Sequence, residues 1–236
     1  MSPDHNPIIV ALDFSEARAA VETARTLVPH VGGFKVGLEL LMGPGAAVVA
    51  AVRELGLPVF VDAKLHDIPN TVRRAARNLG LLGARWVTAH GSGGEAMLTA
   101  AAEGLEEGAR GHPGGILAIT VLTSLDATDL AATGIAGTPG RQVARLAKLA
   151  ASTPIEGVVC SVKELGDVAQ VAPDLTRVTP GIRPAGADAH DQARTATPRE
   201  AIERGADWIV VGRALTRAPD PAAAASGLWK SLQETG

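Results

Sequence analysis

Three ionisable side chains, Asp62, Lys64 and Asp67, follow an apolar run that begins at Val59. If Val59 to Lys64 is a β-strand, Asp62 and Lys64 point to the same face of the sheet, because successive side chains alternate. Asp67 then lies in the loop before the next predicted helix, and loops at strand ends carry chemistry more often than packing. A carboxylate and an ammonium group on the same face at the end of a strand predict a charged reaction site.

A second lysine, Lys35, lies inside the apolar segment FKVGL, which we predict to be the adjacent strand. An inward-pointing lysine needs a charged partner, so its ammonium group is expected beside Asp62 and Lys64. A structural network of ion pairs is the alternative, although clustered charges at strand ends are more typical of a functional site. Asp13 ends the first predicted strand, where an aspartate taken alone is typical of a helix cap or a turn.

The rest of the chain alternates short β-prone runs with segments of helical periodicity, eight of each. This alternation indicates an α/β protein with a parallel sheet, and eight units favour a single (β/α)8 TIM barrel over an open doubly wound sheet. We expect one domain over residues 1–236, with a polar insertion from Leu125 to Gly134. The predicted strands are Ile8 to Leu12, Phe34 to Leu38, Val59 to Lys64, Arg85 to His90, Gly115 to Leu122, Ile155 to Cys160, Leu175 to Thr179 and Trp208 to Val211.

Glycines and arginines follow the last two predicted strands, as Gly181 to Arg183 and as Gly212 and Arg213. TIM barrels commonly bind phosphate at this position, and arginine offers paired donors that suit a phosphate dianion. We therefore expect a phosphate ester whose reacting end reaches the Asp/Lys cluster across the barrel mouth. His90, at the end of strand four, is interpreted as a supporting residue around the site rather than as a base.

The composition excludes several classes of function. With 20% charged residues and a formal net charge of −3, the chain does not have the basic balance typical of nucleic-acid or membrane-surface binding. No apolar stretch approaches the ~20 residues of a membrane span, and the first residues do not resemble a signal peptide. Cys160 is the single cysteine, so neither a disulfide within the chain nor a cysteine metal cluster is expected. A reducing cytoplasm fits these features best.

Taken together, these segments resemble the orotidine 5′-phosphate decarboxylase family along nearly the whole chain. The segment DxKxxD alone recurs in a sister family, whereas the ordered set is far more specific. The matching segments are IIVALD from Ile8, FKVGLEL around Lys35, VDAKLHDIPNT from Val61, VLTS from Val121, GVVCS from Gly157, VTPGIRP from Val178, DQARTATP from Asp191 and IVVGRALT from Ile209.

The resemblance implies a role for each matched residue. Lys64 would be the catalytic lysine and proton donor, and Lys35, Asp62 and Asp67 would complete an alternating charge array. Asp67 and Thr71 would reach the partner's site in a homodimer. The remaining substrate contacts would be Asp13 for the ribose, Thr123 for the pyrimidine, and Gln192, Gly212 and Arg213 for the phosphate. Arg183 would start the loop that closes over the phosphate. The implied reaction releases CO2 from orotidine 5′-phosphate and forms uridine 5′-phosphate, with no cofactor and no metal.

Three alternatives stay open from the residues. The sister decarboxylase of 3-keto-L-gulonate 6-phosphate shares DxKxxD, but it uses magnesium and an acidic residue where Lys35 stands here. A phosphate-binding barrel without catalytic activity is a second possibility. A Schiff-base aldolase is a third, although a lysine flanked by carboxylates should stay protonated rather than nucleophilic.

Overall fold

Eight parallel strands close into a barrel in the computed structural model, which describes residues 5–183 and 196–234. Each strand pairs with its neighbours in chain order, and β1 also pairs with β8. This arrangement confirms the predicted (β/α)8 TIM barrel. The strands are β1 (Ile8–Leu12), β2 (Gly33–Val36), β3 (Val59–Leu65), β4 (Trp86–His90), β5 (Gly115–Ile119), β6 (Gly157–Val159), β7 (Thr176–Thr179) and β8 (Trp208–Val211).

The helices form the outer layer, and three of them are additions to the eight predicted units. Helix α2 (Leu38–Met42) directly follows β2, α6 (Ala127–Ala132) lies between β5 and the next long helix, and the one-turn α10 (Arg213–Thr216) directly follows β8. The helices are α1 (Ala17–Leu27), α2 (Leu38–Met42), α3 (Ala47–Arg53), α4 (Pro69–Leu81), α5 (Glu95–Ala109), α6 (Ala127–Ala132), α7 (Pro139–Ala151), α8 (Leu165–Val171), α9 (Pro198–Glu203), α10 (Arg213–Thr216) and α11 (Pro221–Gln233).

Several predicted boundaries were wrong. β5 ends at Ile119 rather than Leu122, and β6 covers Gly157–Val159 rather than Ile155 to Cys160. The second strand ends at Val36 rather than Leu38, because Leu38 already belongs to α2. The insertion from Leu125 to Gly134 contains α6, which is stabilised by a capping box. Asp126 accepts hydrogen bonds from the backbone of Thr128 and Asp129, and the Asp129 carboxylate accepts one from the Asp126 backbone in return.

The alternation of side chains along each strand builds two cores. Ile8, Val10 and Leu12 of β1 point outward and pack beneath the helices, where most of the buried hydrophobic residues lie. Ile9 and Ala11 point inward and join the packed interior of the barrel. The other buried members of that interior are Phe60, Trp86, Leu117, Val178 and Val210. Because this filling occupies the barrel below the strand ends, it forms a floor for a site at the carboxyl ends.

The opposite end of the barrel is closed by a polar network. Glu156 accepts hydrogen bonds from both terminal nitrogens of Arg85, at 2.6 and 2.7 Å, and from the Trp86 indole at 2.8 Å. The Trp86 ring packs edge-on against Trp208, with centroids 5.0 Å apart. These contacts stabilise the amino-terminal face and leave the carboxyl-terminal face for chemistry.

Candidate active site

The register of the first three strands turns Lys35 into the barrel. Lys35 pairs with Ala11 on one side and with Phe60 on the other, and both of these residues belong to the interior core. Asp13 and Asp62 come two residues after Ala11 and Phe60. Side chains two apart share a face, so Asp13, Lys35 and Asp62 all arise from the inward side at the mouth.

Asp62 lies between two ammonium groups. Its Oδ2 atom is 2.7 Å from Nζ of Lys64 and 3.8 Å from Nζ of Lys35. Lys35 also donates to Oδ1 of Asp13 at 3.3 Å. The structure therefore brings together Lys35, Asp62 and Lys64 of the predicted charge array, and Asp13 extends this chain of alternating charges beyond Lys35.

The carboxyl group of Asp62 stays ionised despite its depth in the site. Burial alone would raise the pKa of Asp62, but the charges of Lys35 and Lys64 and hydrogen bonds from Lys64 and Thr88 oppose it. The balance lowers the pKa of Asp62 below its ordinary value. The side chains of Asp62 and Lys35 are 14% and 13% exposed, so water screens their interaction weakly.

The backbone at Lys64 departs from a regular strand. Lys64 has a φ of 49°, in the left-handed region that residues other than glycine rarely adopt. The pairing of β3 with β4 shifts between Val61 and Leu65, which face Val87 and Ala89. Lys64 and Asp62 do meet, as predicted, but through an irregular segment that re-aims the lysine rather than through the simple alternation of a flat strand.

A pocket opens above the charged chain at the carboxyl ends of the strands. Its walls include apolar side chains from β5 to β8, among them Ile119, Val159 and Val210. Arg183 and Arg213 lie at its rim with the glycines that precede them. The predicted site residues that line this pocket are Asp13, Lys35, Asp62, Lys64, Thr123, Arg183, Gly212 and Arg213. Gln192 lies outside the described residues.

Asp67 and Thr71 are arranged differently from the other predicted site residues. Both are exposed, and in the described part of the chain they are not among the residues lining this pocket. The Asp67 carboxylate accepts a hydrogen bond from the Ile68 backbone at 2.6 Å, just before Pro69 begins α4. A single chain therefore places these two residues at the edge of its own site, facing solvent.

Two histidines and the cysteine are further ionisable side chains outside the charged chain. The rings of His66 and His90 lie 5.2 Å apart. Burial, together with the nearby His66 and Lys64, lowers the pKa of His90, so a neutral supporting role is favoured. Cys160 is 1% exposed, as predicted for a small buried residue. This burial raises the pKa of its thiol to about 12.

Sequence reasoning missed two residues that shape the site. Thr88 of β4 is fully buried and hydrogen-bonded to both Asp62 and the Lys64 backbone. Gly37 lies so close to Lys35 that a Cβ atom there would be 2.9 Å from the Lys35 ammonium nitrogen. A polar residue in the apolar strand WVTAH was the available signal for Thr88, whereas Gly37 had no signal apart from its place beside Lys35.

The described residues contain neither a cluster of metal-binding side chains nor a helix that could span a membrane. Across residues 5–183 and 196–234, no three or more His, Cys, Asp or Glu side chains are grouped so that they could hold a metal ion. In the same part of the chain, no helix combines the length and the apolar character needed to cross a membrane.

The fold and the site define a TIM barrel whose mouth carries an Asp/Lys charge chain at the ends of β1 to β3 and arginines after β7 and β8. The sequence model described as "Orotidine 5'-phosphate decarboxylase / HUMPS family" matches residues 6–228. The chain belongs to this family, and it is accordingly a carbon–carbon lyase of the decarboxylase class.

Individual relatives match over nearly the full length. The orotidine 5′-phosphate decarboxylase of Anaeromyxobacter sp. strain K is 53% identical over 226 residues, which cover 95% of this chain and 97% of the relative. The enzyme of that name from Thermobifida fusca is 48% identical, with coverage of 98% and 97%. A crystal structure of orotidine 5′-phosphate decarboxylase from Lactobacillus acidophilus superposes with a TM-score of 0.86 at 37% identity, covering 97% of this chain and 99% of that one.

Proposed function

We propose that this protein decarboxylates orotidine 5′-phosphate to uridine 5′-phosphate and CO2, the last step of de novo uridine monophosphate synthesis, without a cofactor. The observation that carries the proposal is Lys64, whose ammonium group lies 2.7 Å from Asp62 at the mouth of a pocket rimmed by arginines. Family membership supports the same reaction. We place the reaction in the cytoplasm and assign it to one domain that spans residues 1–236.

The chemistry asks the protein to stabilise a carbanion. When the bond from the pyrimidine ring to the carboxylate breaks, CO2 leaves and the electron pair remains on the ring carbon. No carbonyl group is positioned to delocalise that pair, so fixed charge must supply the stabilisation. Lys64 provides a positive charge next to the developing anion and then delivers its proton to the same carbon.

Asp62 and Lys35 set the electrostatics around Lys64. An ionised Asp62 beside the substrate carboxylate adds repulsion that is relieved as CO2 departs. Lys35, at 3.8 Å, supports the ionised state of Asp62, and Asp13 at 3.3 Å in turn holds Lys35. Asp13 is the most exposed member of this chain, which suits its proposed contact with the ribose hydroxyls.

The part of the pocket that follows β7 and β8 is proposed to bind the phosphate. Gly212 precedes the one-turn helix α10, and both Gly212 and Arg213 line the pocket, so the backbone N–H groups there and the Arg213 guanidinium can donate to an anion. Among the described residues, the Nε atom of Arg183 is buried without a hydrogen-bond partner, as expected of a donor that awaits a ligand. Gln192 is assigned to the phosphate and Thr123 to the pyrimidine edge on family resemblance. Phosphate binding would exclude water from the reacting end.

We further propose a homodimer in which Asp67 and Thr71 reach the partner's site, where Asp67 completes the charge array. The exposure of both residues beside α4 supports this assignment. Large apolar side chains are exposed nearby on α2 and before α4, since Leu38 is 44%, Met42 78% and Ile68 66% exposed. Burying these side chains between two copies would supply the apolar contact that a stable interface needs.

An assay with orotidine 5′-phosphate, run with and without a chelator, tests the proposed reaction. We expect CO2 release that is insensitive to the chelator and abolished in Lys64→Ala, with the circular dichroism spectrum unchanged.

Lys35 argues against the magnesium-dependent sister reaction, because its ammonium at Asp62 would repel a divalent cation. Turnover of 3-keto-L-gulonate 6-phosphate that requires magnesium would contradict the proposal. Binding of phosphate esters without turnover would indicate a silent barrel, and a borohydride-trapped adduct on Lys64 would indicate an aldolase.

A further inference from the structure

Thr88 connects the two charged residues on which the proposed reaction depends. It lies on β4, next to the irregular part of β3, and its side chain is fully buried. Its hydroxyl group accepts a hydrogen bond from the Lys64 backbone N–H at 2.8 Å and donates one to Oδ1 of Asp62 at 3.0 Å. The other oxygen of Asp62 accepts from the Lys64 ammonium at 2.7 Å. Thr88, Asp62 and Lys64 therefore form a closed ring.

The direction of each hydrogen bond in this ring is fixed. A backbone N–H can only donate, so the Thr88 oxygen must accept from Lys64. The hydroxyl proton is then free to point at Asp62, which can accept it because the carboxyl group is ionised. One oxygen of Asp62 is thereby held by Thr88, and the other is left for the ammonium groups.

The ring lies where the strand pairing is interrupted. Between Val61 and Leu65 the register of β3 with β4 shifts, and Lys64 within this segment has a φ of 49°. A left-handed conformation persists at a residue other than glycine when its surroundings hold it there. The hydrogen bond from the Lys64 backbone to Thr88 is a contact of this kind at the strained residue itself.

We propose that Thr88 is a positioning residue for catalysis, which orients the Asp62 carboxylate and holds the Lys64 backbone so that the ammonium group faces the reacting carbon. This inference rests on the proposed function, because it assigns Thr88 a part in the same site. In the described part of the chain Thr88 is absent from the pocket lining, so it acts through Asp62 and Lys64 rather than on the substrate.

Thr88→Val tests the role, because valine keeps the shape of threonine and removes both hydrogen bonds. We expect kcat for orotidine 5′-phosphate to fall by about tenfold to a hundredfold, with KM changed by less than about threefold. Thr88→Ser, which keeps the hydroxyl, should recover most of kcat. The Asp62 carboxyl, followed by carbon-13 NMR titration, should protonate at a higher pH in Thr88→Val than in the wild type, because one of its hydrogen bonds is gone.

Thr120→Val is the matched control. Thr120 is 6% exposed, and its hydroxyl donates to the Val159 carbonyl at 2.7 Å instead of to the charge chain. Both valine variants should lose stability, but the control should keep kcat. A folded Thr88→Val with wild-type kcat and an unchanged Asp62 titration would overturn the inference, and so would an equal loss of kcat in Thr120→Val. If the wild type fails to turn over orotidine 5′-phosphate, the proposed function falls, and the titration alone still decides whether Thr88 holds Asp62.

Discussion

Lys64 donates from its ammonium group to Asp62 at 2.7 Å while its own backbone sits in the left-handed region, with a φ of 49°. A side chain with a Cβ atom pays roughly 1–2 kcal/mol for that conformation, whereas glycine adopts it freely. The functional ion pair is thus formed at a residue whose backbone is strained. This combination is common at sites where the surrounding structure fixes a reactive group.

The strain predicts an unusual order of stability at position 64. Lys64→Ala and Lys64→Gly both remove the ammonium and should both be inactive, but we expect the glycine variant to be more stable by about 0.5–1 kcal/mol. Urea unfolding measures the difference. Lys35, in the regular strand β2, is the control, since there glycine should be the less stable replacement. The reverse order at position 64 would argue that its backbone is unstrained in solution.

Much of this site could be predicted from the sequence, because it obeys local rules. Strands buried on both faces leave their polar residues at the ends, so Asp13, Asp62 and Arg213 were recognisable from the apolar runs before them. Lys35 was recognisable because a lysine inside such a run needs a partner. These predictions need only the alternation of side chains along each strand and the closure of the sheet into a barrel.

The missed features depend on relations between distant parts of the chain. The role of Thr88 follows from the shifted register of β3 against β4, and sequence spacing does not encode that shift. The same shift produces the positive φ of Lys64. The helix α6 was missed for a different reason, because its capping box uses Asp129 where the familiar signature has glutamate or glutamine.

Gly37→Ala should disturb the site without disturbing the fold. Gly37 has a φ of −99°, which alanine tolerates, but the new methyl group would lie 2.9 Å from the Lys35 ammonium nitrogen. Displacing that ammonium from Asp13 and Asp62 should lower kcat/KM about tenfold or more. Gly227→Ala in α11 is the control, because a methyl there meets open space and should leave the activity intact. Steady-state kinetics of the two variants, each checked to be folded, would reveal the difference in kcat/KM. Equal kcat/KM values in the two variants would contradict the prediction.

His90 should make the stability depend on pH. Burial, with His66 and Lys64 nearby, lowers its pKa below the ordinary 6.5, so at intermediate pH the folded protein binds fewer protons than the unfolded chain. The contribution of His90 to the free energy of unfolding is present above the unfolded pKa and is lost as the pH falls through the lowered one. Urea midpoints between about pH 7.5 and pH 5 should therefore decline less steeply in His90→Asn than in the wild type. If the urea midpoints of wild type and His90→Asn decline equally steeply, His90 does not contribute to the pH dependence of stability.

Arg213→Ala should weaken binding of the phosphate specifically. Arg213 lines the pocket at the start of α10, directly after β8. We expect kcat/KM for orotidine 5′-phosphate to fall about a hundredfold, since a charge-assisted contact with the dianion is lost. For orotidine, which has no phosphate, wild type and variant should react at the same slow rate. An equal loss on both substrates would show that Arg213 acts elsewhere.

A mixed dimer would test whether Asp67 serves the partner's site. Lys64→Ala and Asp67→Ala should each be inactive as homodimers, because every site then lacks one residue. If Asp67 acts across the interface, a heterodimer of the two variants has one intact site, and we expect about half of the wild-type activity. The heterodimer can be isolated with two different affinity tags. The control is a heterodimer of Lys64→Ala with Asp62→Ala. Each of these substitutions damages the site of its own chain, so neither site is intact and the control heterodimer should be inactive. If the first heterodimer also stays inactive, Asp67 does not complete the partner's site.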